Sequence, residues 1–437
     1  MKRLYPAWGV AALVSILLLQ SKAHAQVSSY TDTLRLSLPD AEKRFIDSNL
    51  QLLAAHYDVD AQKALIKQAG LWDNPVLSTD HMITADNKWF PYGKTTSDGA
   101  PLSQYAIQLE QLIYTAGKRG KQINMAVTNG RISELQLQDL LRNLRYQLHA
   151  GYYMVAKQIA YRQIYQEQLA QLQKLSSGMK TQLEAGNIAR KDYLRIQALV
   201  LSLQQDMAEL DRDIADTQTD LRVLLQVKDG SFILPATNAT ALFAGVNASM
   251  PEQIDAVIAS GEQNNPYYQL QQAQVLYQQQ NLAYQKALRV PDVTVQTNFD
   301  KNSNVAINYW GVGFSVPLPL FNRNQGNIKS AEATIKQQQA LTQDAATSLR
   351  QDIRNAYQKL AIALQQHNSS REQFYEDYRG MQENMVKSYA LKQVGLPEFI
   401  DFFTDFTTSQ QRLIAQQLNL ALAKEQLNYA VGTDVVK

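Results

Sequence analysis

Residues 291–326 read PDVTVQTNFDKNSNVAINYWGVGFSVPLPLFNRNQG, and the fold turns on how that stretch is read. Val293, Val295, Thr297 and Phe299 alternate with Thr294, Gln296, Asn298 and Asp300. A period of two places apolar side chains on one face of a strand and polar ones on the other. The polar run Lys301, Asn302, Ser303 and Asn304 predicts a turn. Beyond it Trp310, Val312, Phe314 and Val316 alternate with Gly311, Gly313 and Ser315, which predicts the returning strand of a hairpin. The first half of the chain holds a counterpart. Tyr105, Ile107 and Leu109 alternate with Gln104, Gln108 and Glu110, and Val76 to Ala85 reads as a weaker strand. Four strands are expected, roughly Val76 to Ala85, Ser103 to Leu112, Asp292 to Asp300 and Ala306 to Val316.

Two architectures fit these strands. A transmembrane barrel uses strands of about 9–11 residues with one apolar face. A soluble sheet packing one face on helices shows the same alternation. The membrane reading carries a further demand, because four strands cannot close a barrel and open sheet edges are not tolerated in lipid. Several copies would have to share one barrel.

Outward from the hairpins, the chain reads as helix. No proline occurs between Pro101 and Pro235 or between Pro319 and Pro397, and both intervals are rich in Gln, Leu, Ala, Lys and Arg. Leu141, Leu144, Leu148, Tyr152, Val155 and Ile159 step by three or four along one stripe, as do Leu341, Ala345, Leu349, Ile353, Ala356 and Leu360. A helix from about Gly120 to Leu175 would be on the order of 80 Å long. That is too long for a compact globule and predicts coiled-coil packing.

The two halves also repeat. Asn49 and Pro75 bracket a helical segment just as Asn265 and Pro291 do, each pair 26 positions apart. Further on, Ala185, Gly186, Asn187, Ile188 with Asp192 parallels Val394, Gly395, Leu396, Pro397 with Asp401, six residues separating glycine from aspartate both times. Several landmarks in the same order predict a duplicated unit. The organisation is then a signal peptide at 1–25, a first repeat at 26–230, a connecting region at 231–264 and a second repeat at 265–437. The extra residues of the first copy are expected between Asp86 and Pro101.

The leader assignment rests on Lys2 and Arg3, the apolar run Trp8 to Leu19, and the small-x-small site Ala23, His24, Ala25 before Gln26. Its removal leaves 39 basic against 40 acidic residues. This balance argues against nucleic acid as a partner. The chain has no cysteine, which excludes disulfides, cysteine-ligated zinc, thiol catalysis and a lipoprotein anchor. His56, His81, His149 and His367 are isolated and lack metal-ligand spacing. Gly117, Lys118, Arg119, Gly120 and Lys121 lack the spacing of a phosphate-binding loop and read as a basic turn at a helix start. No nucleophile elbow is present, and no catalytic site is expected. Phe399, Phe402, Phe403 and Phe406 read as a core stripe on a helix, while Trp89, Phe90 and Tyr92 could form an interfacial belt in the first hairpin loop.

With these features in place, the chain resembles the TolC-like outer-membrane efflux ducts over nearly all of its mature length. The segment Pro317, Leu318, Pro319, Leu320, Phe321, Asn322, Arg323, Asn324, Gln325, Gly326 is similar to the strand-to-helix junction of the heavy-metal branch that includes the CusC and CzcC ducts. Tyr114, Thr115, Ala116, Gly117, Lys118, Arg119 is similar to the more general pattern. The resemblance implies a mainly helical chain with a membrane β-barrel portion. Duplicated helical hairpins would form a coiled-coil tunnel, and a homotrimer would share a twelve-stranded barrel. It also implies residence in the outer membrane of a Gram-negative bacterium, contact with outer-membrane lipid, and work with a periplasmic adaptor and an inner-membrane pump of the RND type. The cargo would be small substrates, heavy-metal cations among them. An outer-membrane duct for type I protein secretion and a periplasmic coiled-coil scaffold outside any membrane stay open.

The resemblance extends to particular positions. Gly186, Asn187, Ile188 and Val394, Gly395, Leu396 match helix tips that meet the adaptor, and glycine there permits a positive φ and close backbone approach. Asp401 matches an acidic position that narrows the periplasmic entrance, and Asp192 one in the network holding it shut. A second acidic position falls at Thr404, with Asp405 beside it. A three-fold axis would turn each inward aspartate into a ring of carboxylates, which bind cations and shift one another's titration.

Overall fold

The computed structural model describes residues 32–85, 88–89, 99, 104–246, 248–251, 253–303, 306–368 and 372–436. Residues 1–31, Phe90, Tyr92 and most of 86–101 lie outside these residues.

Helices dominate. After a short strand β1 (Thr33–Leu36) come α1 (Leu38–Ser48) and α2 (Leu50–Ala69), then β2 (Val76–His81), β3 (Thr84–Ala85), β4 (Lys88–Trp89) and β5 (Tyr105–Ile113). The chain next runs through α3 (Lys118–Glu184), α4 (Arg190–Leu225), β6 (Phe232–Pro235), α5 (Ala239–Ala244) and α6 (Ile254–Asn264). The order of elements then recurs: α7 (Pro266–Ala287), β7 (Val293–Asn302), β8 (Ile307–Ser315), α8 (Gln325–Asn368), α9 (Glu372–Ala390) and α10 (Leu396–Val431). Helix α3 has 67 residues, so it runs about 100 Å. It starts earlier and ends later than the stripe alone implied, because polar positions with good helix propensity extend it at both ends.

The expected first strand is shorter than read. It stops at His81, and Thr84–Ala85 pairs instead with Lys88–Trp89 in a separate two-stranded ladder. The main sheet is antiparallel with order β2-β5-β7-β8, so the two hairpins lie side by side and both outer strands are edges.

Its register sorts the side chains. Leu77 sits opposite Leu109, Leu109 opposite Thr297 and Thr297 opposite Val312. Directly opposed residues share a face. One face therefore carries Ile107, Leu109, Val295, Phe299, Trp310, Val312 and Phe314, and the other Gln108, Glu110, Gln296 and Asn298. Gly311 and Gly313 belong to the polar face, where a Cβ would meet Asn298 Oδ1 at 2.5 Å and Gln296 Nε2 at 2.8 Å. Glycine is required there because long amides from β7 cross over the β8 backbone. On the apolar face Trp310, Val312 and Phe314 are 70–73% exposed. Among the described residues no helix covers them, whereas a soluble sheet would pack this face on helices.

Two asparagines tie the halves alike. Asn49 caps α2 by accepting from the amides of Gln51 and Leu52, and its Nδ2 donates 3.0 Å to Leu224 O at the end of α4. Asn265 caps α7 by accepting from Tyr268 N, and its Nδ2 donates 2.9 Å to Ala430 O at the end of α10. Both are buried. Each side chain satisfies orphan groups at a helix start and at the end of the returning helix.

The waist of the molecule packs Phe45, Leu148, Tyr152, Leu221 and Leu225 into one core. Beside it lies His149, which is not the isolated residue its spacing suggested. Its Nδ1 is 2.8 Å from Glu425 Oε2 and its Nε2 2.5 Å from Glu42 Oε1, so α1, α3 and α10 meet at one ring. Burial opposes the positive charge, but hydrogen bonds to Glu42 and Glu425 outweigh it and lift the imidazole to about 9. The bond to His149, against burial and helped by Arg145, holds Glu42 down at about 2. The raised group stabilises fully below its ordinary 6.5 and loses that contribution as pH climbs through about 9. The depressed carboxyl stabilises above its ordinary 4.5 and loses its contribution as pH falls toward about 2. The free energy of unfolding in urea should therefore be flat from pH 4.5 to 6.5 and decline to pH 9, by on the order of 3 kcal/mol. In His149→Gln the alkaline decline should shrink, and an unchanged slope would show that another group causes it.

Candidate functional site

Three places on the chain have functional character: the sheet, the junction where strands become helices, and the helical tips. Across the sheet, one row of rings crosses all four strands. His81 stacks on Tyr105 at 6.1 Å, Tyr105 meets Phe299 at 5.9 Å, and Phe299 meets Trp310 at 5.0 Å. Such a row on an apolar face is the pattern of an interfacial girdle. The belt expected at Trp89, Phe90 and Tyr92 is not this row. Trp89 stands apart in β4, and the other two lie outside the described residues. The usable signal was an aromatic residue at matching register in successive strands, visible only once pairing is known.

The junction is built on the segment read as a basic turn. Ala116 and Gly117 both take positive φ, 52° and 65°, and swing Lys118 inward. Its ammonium, 3% exposed, lies 2.7 Å from Asp292 Oδ1 and donates 2.6 Å to Val290 O. Thr115 adds an N–H donor to Asp292 Oδ1 at 2.8 Å and a hydroxyl donor to Pro291 O at 2.6 Å. Arg119 donates to Gly70 O and lies over the Trp72 ring at 4.6 Å. The start of α3 is thus locked to the approach to β7 in the other half and to the end of α2 in its own. The segment is the expected basic turn at a helix start, and its Lys118 is a buried cation with a paired anion.

At the opposite end, the two tips prove less alike than their spelling. After α3, Gly186 takes φ 73°, and Asn187 N donates to Gln182 O at 2.8 Å. After α9 the same turn is made by Lys392, with φ 59°, and Gln393 N donates to Ser388 O at 2.9 Å. Gly395 does not have a positive φ. It is extended, φ −76° and ψ 155°, and is the N-cap of α10. Hydrogen bonding therefore equates Gly186 with Lys392, an offset of 206, and places Glu398, not Asp401, in the position of Asp192. Identical letters aligned the glycines, whereas turn geometry aligns the residues that bear the bend. Gly186, Asn187 and Gly395 are exposed, Ile188 and Val394 are half-buried, and Leu396 is buried.

The tips pack together through Leu172, Met179, Ile196, Leu396, Phe399 and Phe403. Tyr389 stacks on Phe399 at 4.9 Å, and its hydroxyl reaches Met179 Sδ at 3.7 Å. Burial, and secondarily the negative charge of Asp192, raises the Tyr389 phenol. Asp401 and Asp405 lie one turn apart on the exposed face of α10, opposite buried Phe399, Phe403 and Phe406. Among the described residues none of the three aspartates makes an ion pair. Phe402 sits at the margin of the aromatic stripe, against Tyr378 at 5.2 Å.

Removing the charge of Lys118 is the direct test of the junction. Lys118→Met should destabilise the protein by about 3–5 kcal/mol, because Asp292 stays charged and loses its partner. Adding Asp292→Leu should recover part of that loss. Additive denaturant midpoints for the two substitutions would argue against the coupling.

Residues 43–226 match the family described as outer membrane efflux protein. Over 307 residues the chain is 24% identical to the cobalt-zinc-cadmium resistance protein CzcC of Cupriavidus metallidurans, covering 68% of this chain and 66% of that one. It is 22% identical over 337 residues to the nickel-cobalt-cadmium resistance protein NccC of Alcaligenes xylosoxydans xylosoxydans, covering 77% and 70%. The fold is similar to the crystal structure of CusC, described in terms of folding and transmembrane channel formation. There the TM-score is 0.73 at 15% identity over 93% of this chain and 96% of that one.

Proposed function

We propose that this chain, a TolC-like outer-membrane efflux protein of the heavy-metal branch, is one third of a passive duct across the outer membrane. The observation that carries the reading is the bare sheet. Its apolar face is uncovered, its opposite face is lined with amides and carboxylates, and both of its edges are open. Three copies would join those edges into a twelve-stranded barrel with lipid outside and a wet lumen inside. Helices α3, α4, α8, α9 and α10 would continue that lumen as a tunnel toward the periplasm. The duct itself performs no chemistry, and an inner-membrane pump of the RND type would drive transport through an adaptor.

The organisation of the chain supports the same reading. Residues 26–230 and 265–437 would each supply one hairpin of strands and one of long helices, with 231–264 around the waist. At the tips, the segments Gly186, Asn187, Ile188 and Val394, Gly395, Leu396 would meet the adaptor through their exposed Gly186, Asn187 and Gly395. A Cβ at Gly186 would meet no atom within 4 Å, and one at Gly395 would meet only Pro397 Cδ at 3.7 Å. Asp401 and Asp405, exposed on one helix face, would become rings of carboxylates under three-fold symmetry. Rings of that kind favour cations, in keeping with divalent metal ions as cargo. Asp192, whose charge acts on Tyr389 of the second hairpin, would serve in the contacts between hairpins that hold the entrance shut.

The sidedness of the sheet gives one test. Phe314→Arg should cost about 2–4 kcal/mol at the lipid face and deplete heat-resistant oligomer from the outer membrane. Gln296→Arg, on the opposite face, should leave assembly intact, and equal behaviour of the two variants would contradict the barrel. Single-channel recording tests the entrance: Asp401→Ala should raise conductance or weaken block by trivalent cations. A trace identical to that of the unaltered protein would remove Asp401 from the constriction.

A further inference from the structure

Strand β8 leaves the sheet at Ser315 and enters Pro317, Leu318, Pro319, Leu320 and Phe321, a strap before α8. The strap is stiff. Its two prolines fix φ and lack ladder donors, Leu320 N donates to Leu318 O at 2.9 Å, and Asn324 just beyond is bound through Nδ2 to Gln285 O at 2.8 Å. Yet it buries none of its large side chains. Leu318 is 74% exposed, Leu320 64% and Phe321 91%. A rigid segment holding three large apolar groups away from its own chain has the form of a surface made for a partner.

A second uncovered patch lies on the other edge of the same sheet. Leu71 and Trp72, just before β2, are 52% and 58% exposed. Arg119 covers one face of the Trp72 ring at 4.6 Å and so holds the indole in place with its remaining surface free. The register puts the two patches at one level. Val76 at the start of β2 opposes Glu110, Glu110 opposes Gln296, and Gln296 opposes Gly313, two residues before β8 ends. β2 leaves the junction and β8 arrives at it, so the two edges are antiparallel and would pair directly when one copy meets the next.

We propose that the strap of each protomer seats on Leu71 and Trp72 of the neighbouring copy, with Phe321 packing on the open side of the Trp72 indole. The inference rests on the trimeric reading above and specifies what closes the ring where barrel becomes tunnel. The contact is head-to-tail: strap meets indole, and three such contacts complete a ring. It stands at the level of the buried Lys118–Asp292 pair, so each copy braces the segment that sets the direction of its neighbour's long helix.

The absence of native cysteine makes the test clean. Two double variants, Leu71→Cys with Leu320→Cys and Trp72→Cys with Phe321→Cys, are oxidised in isolated outer membranes and run on non-reducing gels. Covalent dimer and trimer from at least one pair, and none from any of the four single variants, is the expected result. Trimer that assembles normally by native mass spectrometry while neither pair cross-links overturns the strap contact alone. It would leave the strap facing lipid or its own chain. Absence of any trimer from the unaltered protein overturns the reading beneath it as well. Cross-linking by a single variant would show like residues meeting across the interface and also overturn the head-to-tail contact. As a second readout, Phe321→Ala should lower the temperature at which the trimer dissociates while leaving helix content unchanged, and an unshifted temperature counts against the proposal.

Discussion

A backbone amide or carbonyl in hydrocarbon has no water to bind, and an unpaired one costs several kcal/mol. The four-stranded sheet of this chain meets that constraint on its inner strands and leaves it unmet on β2 and β8. With Trp310, Val312 and Phe314 in lipid, as proposed, the edges could not stay bare. On that proposal the further copies would follow from the open edges of the sheet. The polar face, with glycines making room for Gln296 and Asn298, then belongs to the interior by exclusion.

The sheet and the helices could have been joined flexibly, and they are not. Lys118, Asp292, Thr115 and Arg119 convert the passage from strand to helix into a bonded corner that spans both halves. Burying an ammonium is expensive unless its partner and remaining hydrogen bonds are in place, which is why this corner holds a single geometry. Asn49 and Asn265 do comparable work at the waist, each fastening the start of one helix to the end of another. A lever of about 100 Å transmits orientation only if its root is fixed, and the junction supplies that root.

Local pattern carried the architecture far. Alternation in 293–316 and the spacing of Leu141, Leu144, Leu148 and Tyr152 depend only on neighbours in sequence, and strands and helices appear where those patterns place them. Identity of letters was a weaker guide. Gly186 and Gly395 occupy similar strings, yet the bend falls on Gly186 and Lys392, because a hydrogen-bonded turn is set by where the preceding helix runs out. His149 was opaque for another reason. Its partners Glu42 and Glu425 lie 107 and 276 residues away, and no window of sequence contains all three.

The sequence by itself determined four amphipathic strands, two sets of long helices and the absence of any thiol chemistry, since each follows from residue type and short-range period. Only the tertiary structure decided that the apolar face of the sheet is bare, that His81, Tyr105, Phe299 and Trp310 form one row, and that Lys118 is buried against Asp292. These are facts about pairing across long loops. Period and composition leave such pairing free, and it becomes definite only when register, ion pairing and packing are satisfied together.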